Sequence, residues 1–586
     1  MKRIINLILI TTLAGLFVFL YSCKEEFLDK QPTGTAAGEV MKTEDGVEGL
    51  LIGAYDMLPG NAYFGGALGT DWTYGDCASD NTYKGTSYGD QSAFNSVERY
   101  NTLPANPYMS ARWSDCYNGV SRTNDVLNFL WTTQEGDNPI SDNRATEIEA
   151  EAKFLRAWYH FKATRIFEKI PYVKTEEELG MPPEEVPNDS EGWDEIEADL
   201  QYAIDNLPEN PPMGDPGRPH KYAAMAVKAH VHMFQNELGE AETLLDDIIG
   251  SNKFALVDNY YDNYKATTEN NEESIFEIQV SADASSANYL VLTGAVFHQS
   301  GAAGLGWGFF QPSQNLFEAF QTTSEGLPVL DKEDRDDLAN DMAVASGDSF
   351  EPTDHPLDPR VDWTIARRGV DFLGWGIHQG RAWIRSQSNG GPYMTKKYMH
   401  LEENDGSYTQ WGGFKNARNF RAYRYSHVLL WRAEIAVENN ELDYARQLVN
   451  KIRERAKNSD YVKGRVTTDE LGDQPTEDEI NWDEDAANYN IEPYPEDSPV
   501  FNSQEEARKA VRLEHRLEFA TEGLRYFQLR RWGIAEDVLN DYIQEDVQFR
   551  TFMKGASYNS ESDDYWPLPQ DQLDIQPSLK QDPAYE

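Results

Sequence analysis

Apolar residues recur every three to four positions through much of the chain, which is the period of an amphipathic helix. In one such run, Trp193, Ile196, Leu200 and Ile204 share a face, and Pro208 ends the pattern. Similar runs stand at 154–161, 222–233, 244–248, 425–436 and 442–452. The pattern predicts a chain built mainly from α-helices.

Several predicted helices follow one another with short links, as in tetratricopeptide-like helix pairs, although the spacing is irregular. Between them lie long stretches, 59–110, 281–415 and 457–503, that are rich in turn-forming or acidic residues, and one strand candidate stands at 274–280. Irregular stretches of this length are usually functional or packed on a scaffold. We therefore expect a mainly α fold, with helix pairs carrying long irregular loops and minor β structure in one compact unit.

The N-terminus has the form of an export signal. Lys2 and Arg3 precede an apolar run at 4–19, and Cys23 follows Ser22. The run is short for a membrane span. We predict that residues 1–22 are removed and that Cys23 carries the lipid anchor. The alternative is an ordinary cleaved signal in which Cys23 is incidental.

Charge and cysteine content argue against several classes of function. The chain has 100 acidic and 52 basic residues, a net charge of −48, which repels nucleic acid phosphates. No nucleic-acid partner is expected. Cys77 and Cys116 either pair or remain buried thiols. No His/Cys spacing indicates a metal centre and no dinucleotide loop is present, so neither a metal nor a cofactor is expected; calcium at the acidic run 331–337 stays open.

Three sequence landmarks carry a family resemblance. Residues 512–533 read R-L-E-H-R-L-E-F-A-T-E-G-L-R-Y-F-Q-L-R-R-W-G, and the chain closes with W-P-L-P at 566–569 and Q-D-P-A-Y at 581–585. Residues 312–320 read P-S-Q-N-L-F-E-A-F. With Cys23 and the F-L-D of 27–29, the chain resembles the SusD/RagB family of Bacteroidetes outer-membrane lipoproteins. Gln528 and Ala584 depart from the family pattern, which has Asp and Gly there.

The resemblance implies a SusD-like fold, with an N-terminal region at 23–270 holding the tetratricopeptide-like helices and a C-terminal region at 271–586 packed against it. It also implies an outer-membrane location facing the exterior. The implied partner is a SusC-like TonB-dependent transporter, to which the protein delivers a bound oligosaccharide or polysaccharide without chemistry. Peptide cargo in the same role is one alternative, and a lipid-anchored glycoside hydrolase is another.

A sugar site needs flat aromatic faces for the C–H face of a pyranose and polar groups for its hydroxyls, preferably on loops. The irregular stretches offer such residues. We predict ligand contacts among Trp72, Tyr74, Asp80, Asn81, Tyr83, Tyr88, Trp307, Trp375, Trp383 and Trp411. No residue is predicted to be catalytic, and the charged residues of 512–533 are expected to pair internally as scaffold.

Overall fold

In a computed structural model of the chain, the structure describes residues 38–60, 68–281, 307–410, 415–467 and 475–585. The predicted signal peptide, Cys23 and Trp411 lie outside the described residues. The helix begun at Trp193 ends at Asn206, two residues before Pro208, and the helix of residues 244–248 ends at Gly250. The hydrophobic periodicity therefore located these helices and their ends correctly.

The described helices and strands are as follows. The helices are α1 Gly38–Met41, α2 Glu44–Tyr55, α3 Asn95–Glu98, α4 Pro107–Gln134, α5 Asp142–Phe167, α6 Glu176–Leu179, α7 Trp193–Asn206, α8 Lys221–Gln235, α9 Leu238–Gly250, α10 Gln314–Ala319, α11 Val361–Thr364, α12 Gln387–Gly390, α13 Tyr425–Glu438, α14 Leu442–Asn458, α15 Gln504–Glu518, α16 Arg525–Arg531, α17 Ala535–Asp546, α18 Ser560–Asp563 and α19 Gln570–Ile575. The strands are β1 Thr82–Gly85, β2 Ser274–Ile278, β3 Phe309–Pro312, β4 Ile365–Ala366, β5 Met394–Thr395, β6 Thr409–Gln410, β7 Lys415–Asn416, β8 Phe420–Arg424, β9 Lys463–Val466 and β10 Ile480–Asp485.

Consecutive long helices pack against each other, as the helix-pair prediction requires. Helix α4 packs on α5, α8 packs on α9, and α13 packs on α14. Local signals fix their starts. Asn106 caps α4 by accepting a hydrogen bond from the Tyr108 amide at 2.9 Å, and Pro107 occupies the first helical position, where no amide donor is needed. The mainly α architecture with little strand is confirmed.

The strands form antiparallel pairs that join distant parts of the chain. Strand β1 pairs with β3, with Thr82 opposite Pro312, and β2 pairs with β8. The largest core cluster runs from Val47 to Leu579, so it spans the predicted boundary at 270/271, which itself stays a prediction. Near the C-terminus, the Trp566 amide donates to the Ile166 carbonyl at 2.9 Å. Helices and loops thus share one hydrophobic interior.

A buried ionic network holds the second half together, and we call it the Glu518 network. Glu518 accepts from Arg360 at 2.9 Å, from Arg424 at 2.6 Å and from Arg455 at 2.5 Å. These arginines hold the pKa of Glu518 well below its usual range, against the opposing effect of burial. Glu522 joins through Arg424 at 2.9 Å. The prediction that charges in 512–533 pair internally is confirmed at these two glutamates.

Candidate functional site

Four predicted ligand-contact rings lie in the protein interior. Trp72, Tyr74, Tyr83 and Trp383 are each 5% exposed or less. Trp72 packs edge-on against Phe94, with ring centroids 5.4 Å apart. The Gly- and Asn-rich composition around residues 71–83 suggests an exposed loop, but Trp72 packs against Phe309 and Phe310 of β3, and Tyr83 lies on β1, which pairs with β3. In this structure they pack the core and present no open face to a ligand.

The two polar members of the same stretch belong to the scaffold. Asp80 pairs with Arg525 at 2.8 Å and with Arg516 at 3.0 Å, and these guanidinium groups hold its pKa below the usual range despite burial. Asn81 accepts from Arg516 at 2.9 Å. Asp80 and Asn81 therefore form their hydrogen bonds with groups inside the protein.

The predicted contacts Tyr88 and Trp307 remain at the surface. Tyr88 is 58% exposed, and its ring meets Phe552 edge-on at 5.5 Å. Trp307 is partly exposed and directly precedes β3 across Gly308. The Thr86 amide donates to the Gly308 carbonyl at 2.5 Å, so the segments bearing the two rings are joined through the backbone. Trp375 is also partly exposed but lies on a separate turn, where its Nε1 donates to the His400 carbonyl at 3.2 Å.

A polar cluster joins the same two segments. Arg385 donates to the Asp90 carboxylate at 2.7 Å, to the Thr86 hydroxyl at 2.8 Å and to the Trp307 carbonyl at 3.4 Å. Both ion-paired side chains keep part of their surface in water, 34% for Arg385 and 26% for Asp90. We call Thr86, Tyr88, Asp90, Trp307 and Arg385 the loop face.

Close backbone approach underlies this face. A Cβ on Gly85 would stand 2.5 Å from the Gly308 carbonyl oxygen, and one on Gly390 would stand 1.9 Å from Gln311 Oε1. Only glycine permits these contacts. Thr86, which follows Gly85, has φ of +53°, a costly conformation for a β-branched residue. Such strain concentrates at functional sites, where the surrounding structure holds it in place.

A buried lysine supports the loop from beneath. Lys84 Nζ donates to the Asp90 carbonyl at 2.7 Å, to the Ser87 carbonyl at 3.1 Å and to Asn95 Oδ1 at 2.6 Å. Burial lowers the pKa of Lys84 to about 8. The face thus offers an exposed ring, a partly exposed indole, a carboxylate and a guanidinium on a braced backbone, which can bind a polyhydroxylated ligand.

Thr86, Asp90 and Phe552 were not predicted as site residues. Phe552 is more than 450 positions from Tyr88 in the sequence, and no local pattern relates them.

Arg512 also differs from expectation: within the described part of the chain it forms no ion pair, unlike Arg516 one turn later. Cys77 and Cys116 are buried free thiols.

One group of described residues has metal-ligand chemistry. Glu197, His232 and Glu237 bring ligand atoms within 4.8 Å of one another. Glu237 stands 2.7 Å from His232 Nδ1, and Glu197 stands 3.8 Å from Nε2 on the other side of the ring. The carboxylates flank opposite nitrogens of the ring; Glu237 accepts a hydrogen bond from Nδ1, whereas Glu197 accepts one from Gln235 at 2.7 Å.

Comparisons with known proteins agree with this architecture. A model of the SusD family matches residues 272–585, and a second model, described as starch-binding associating with outer membrane, matches residues 26–233. SusD-like protein P25 of Formosa agariphila is 25% identical over 97% of both chains. A SusD-like protein of Bacteroides ovatus is 27% identical over 47% of this chain and 49% of its own.

Solved structures show the same fold. A SusD-like protein of Bacteroides fragilis superposes with a TM-score of 0.68 at 19% identity, covering 94% of this chain and 99% of its own. Surface glycan-binding protein A of Bacteroides thetaiotaomicron, in complex with laminarihexaose, gives a TM-score of 0.63 at 20% identity over 92% and 99%. Within the described ranges, no helix combines the length and apolar character needed to cross a bilayer.

Proposed function

The chain belongs to the SusD family, and from that premise we propose that it is a cell-surface lipoprotein that binds an oligosaccharide or polysaccharide and delivers it to a SusC-like TonB-dependent outer-membrane transporter. Two comparisons support the carbohydrate part. Residues 26–233 match a model described as starch-binding, and one structure of the same fold was solved with laminarihexaose. We propose no catalytic step.

The observation that carries this proposal is the loop face. Tyr88 presents an exposed aromatic ring that can cover the C–H face of a pyranose. Asp90 and Arg385 stand in the adjoining segments and can accept from and donate to sugar hydroxyls. Loops braced on a rigid scaffold are where binding residues concentrate. Among the predicted aromatic contacts, Tyr88 and Trp307 are therefore our primary assignments, with Trp375 and Trp411 as further candidates.

The lipid anchor rests on the sequence, and the transporter rests on the family assignment. Cys23 follows a short apolar run of signal type after the three residues 20–22, and a lipid attached there would tether the protein to the outer membrane. We also propose the division into a signal at 1–22, an N-terminal region at 23–270 and a C-terminal region at 271–586.

The test is isothermal titration of the mature protein with a panel of neutral and acidic oligosaccharides. Tyr88→Ala and Trp307→Ala should each weaken binding of the recognised glycan about tenfold, because each removes a ring at the centre of the contact. Trp482→Ala is the matched control, since Trp482 is 43% exposed on β10 and should leave affinity unchanged. Thermal unfolding should place all three variants near the wild type.

Other results would redirect the proposal. If no oligosaccharide of the panel bound, carbohydrate binding would be contradicted. Uptake of labelled peptides by cells carrying the protein and its transporter would then favour peptide cargo. Release of reducing ends from any polysaccharide would favour the glycoside hydrolase alternative.

A further inference from the structure

A cavity of about 460 Å³ opens between α15, the segment 330–335 and the residues 532–541. Four arginines line it, Arg335, Arg512, Arg516 and Arg525, and Leu330, Ile534 and Val538 supply apolar wall. We call it the Arg512 pocket. Its volume lies within the range of small-molecule sites, which combine apolar walls with a few convergent polar groups.

Positive charge on these arginines exceeds the carboxylate charge that contacts them. Asp80 alone pairs with both Arg516 and Arg525. Among the described residues, Arg335 donates only to the carbonyls of Val329 and Leu330, each at 3.2 Å. Among the described residues, Arg516 and Arg525 therefore share the Asp80 carboxylate, while Arg335 and Arg512 form no ion pair, in a protein whose net charge is −48.

Arg512 is the least satisfied of the four. Within the ranges described, it has no carboxylate partner, and its buried Nε atom has no hydrogen-bond acceptor. Its guanidinium stands over the Trp532 ring, 5.1 Å from the centroid, which holds the side chain in place. Because Nε is buried, a ligand would reach the terminal nitrogens of Arg512, which donate to no described residue and could bond to an acceptor in the cavity.

The electrostatics of the neighbours agree. Burial, together with repulsion from Arg525 and Arg335, lowers the pKa of Arg516 to about 9. Burial also lowers the pKa of Arg335 and of Arg512. Carboxylates that are near but not ion-paired, among them Asp80 for Arg335 and Glu434 for Arg512, oppose these shifts without reversing them.

Carboxylates at the rim do not fill this role. Asp331 pairs with Lys509 at 2.8 Å, and Asp541 pairs with Lys332. Glu333 and Asp537 are exposed, so water screens their charge. An anion entering the cavity would meet the arginines on the inner side of these groups.

We propose that the Arg512 pocket binds the anionic group of an acidic sugar, a uronate carboxylate or a sulfate ester, between Arg335 and Arg512. This assignment rests on the proposed glycan function and adds a substrate class to it. Arginine suits the role, because its planar fork matches both groups with two parallel hydrogen bonds. The apolar wall beside the arginines would face the C–H surface of the sugar ring.

The experiment is isothermal titration of the mature protein with three tetrasaccharides: an oligogalacturonate, a sulfated galactan fragment and the same galactan fragment without sulfate. Wild type should bind one acidic ligand more tightly than the neutral one. Arg335→Gln combined with Arg512→Gln should weaken that binding at least tenfold, since charge-assisted hydrogen bonds are lost. Neutral-sugar binding should not change, and which acidic ligand is preferred identifies uronate or sulfate as the source of the anion.

Arg508→Gln is the matched control. It removes the same charge from the same helix. Arg508 pairs with Glu438 at 2.7 Å, and neither residue lines the pocket. It should leave acidic-sugar affinity within twofold. If the double variant bound acidic sugars as tightly as wild type while Tyr88→Ala abolished binding, the pocket assignment would be overturned and the glycan function kept. If no sugar of either kind bound, both would fall.

Discussion

The Glu518 network and the Arg512 pocket both gather arginines around helix α15, yet they treat charge in opposite ways. In the network, the single side chain of Arg424 contacts three carboxylates, Glu273, Glu518 and Glu522, and all four side chains are buried. In the pocket, Arg516 and Arg525 share Asp80, and Arg335 and Arg512 form no ion pair with a described carboxylate. The comparison teaches that the completeness of ion pairing, rather than the number of arginines, separates scaffold from binding surface.

This contrast has an energetic basis. A buried ion pair offsets its desolvation cost only when each charge finds good partners, whereas breaking such a pair leaves an uncompensated charge. The network meets that condition and so fixes the relative positions of α14, α15 and β8. The pocket does not meet it, and its unsatisfied donors are available to a ligand.

The largest expected effect comes from breaking the network at its centre. Glu518→Gln should lower the free energy of unfolding by about 3–5 kcal/mol, because three buried arginines lose a charged partner together. Urea denaturation monitored by circular dichroism would measure this. Glu438→Gln, which removes a half-exposed partner of Arg508, should cost less than about 1 kcal/mol. Equal losses in the two variants would contradict the distinction between the regions.

Acid should weaken the network through Glu522. Lys397 and Arg424 lower its pKa from 4.5 to about 2, against the opposing effect of burial. The folded state therefore binds fewer protons than the unfolded state between these values. The stabilisation, about 3 kcal/mol by linkage, is fully present above pH 4.5 and is lost as the pH falls toward 2.

The measurement compares wild type with Glu522→Gln by urea denaturation at pH 5.5 and at pH 2.5. The difference in unfolding free energy between the two proteins should shrink by up to about 3 kcal/mol at the lower pH. Burial raises the pKa of Asp76 and of Glu269 to about 7, so both groups also affect stability between about pH 4 and 7; they are present in both proteins, and the comparison subtracts most of this shared effect. A difference that did not change with pH would show that Glu522 does not contribute through its charge.

The sequence predicted the scaffold better than the binding surfaces, and the reason is physical. Helix periodicity and stops such as Pro208 are local, so the pattern located the helices. The stretch from Trp72 to Tyr88 has no such period. Whether a ring there faces the core or water depends on distant residues: Trp72 packs against Phe309 and Phe310 of β3, more than 220 residues away, whereas Tyr88 meets Phe552 at the surface. Trp72 and Tyr88 therefore look alike in the sequence and differ in the fold.

Charged residues posed the same difficulty. Arg512 and Arg516 share a face of one helix, so the sequence predicted the same structural role for both. Their difference depends on what lies opposite. Asp80, from a distant loop, reaches Arg516, while Trp532 covers Arg512. Only the tertiary structure distinguishes a paired arginine from an unsatisfied one.

The smallest expected effect sharpens the comparison most. Arg512→Gln should change the free energy of unfolding by less than about 1 kcal/mol, because it removes a charge that has no carboxylate partner and leaves a side chain that still packs on Trp532. Arg455→Gln, a matched substitution in the network, should cost several kcal/mol. Urea denaturation of the two variants side by side would measure the contrast. A large loss at Arg512 would mean that this arginine stabilises the fold as Arg455 does, and the division between scaffold and pocket would have to be drawn elsewhere.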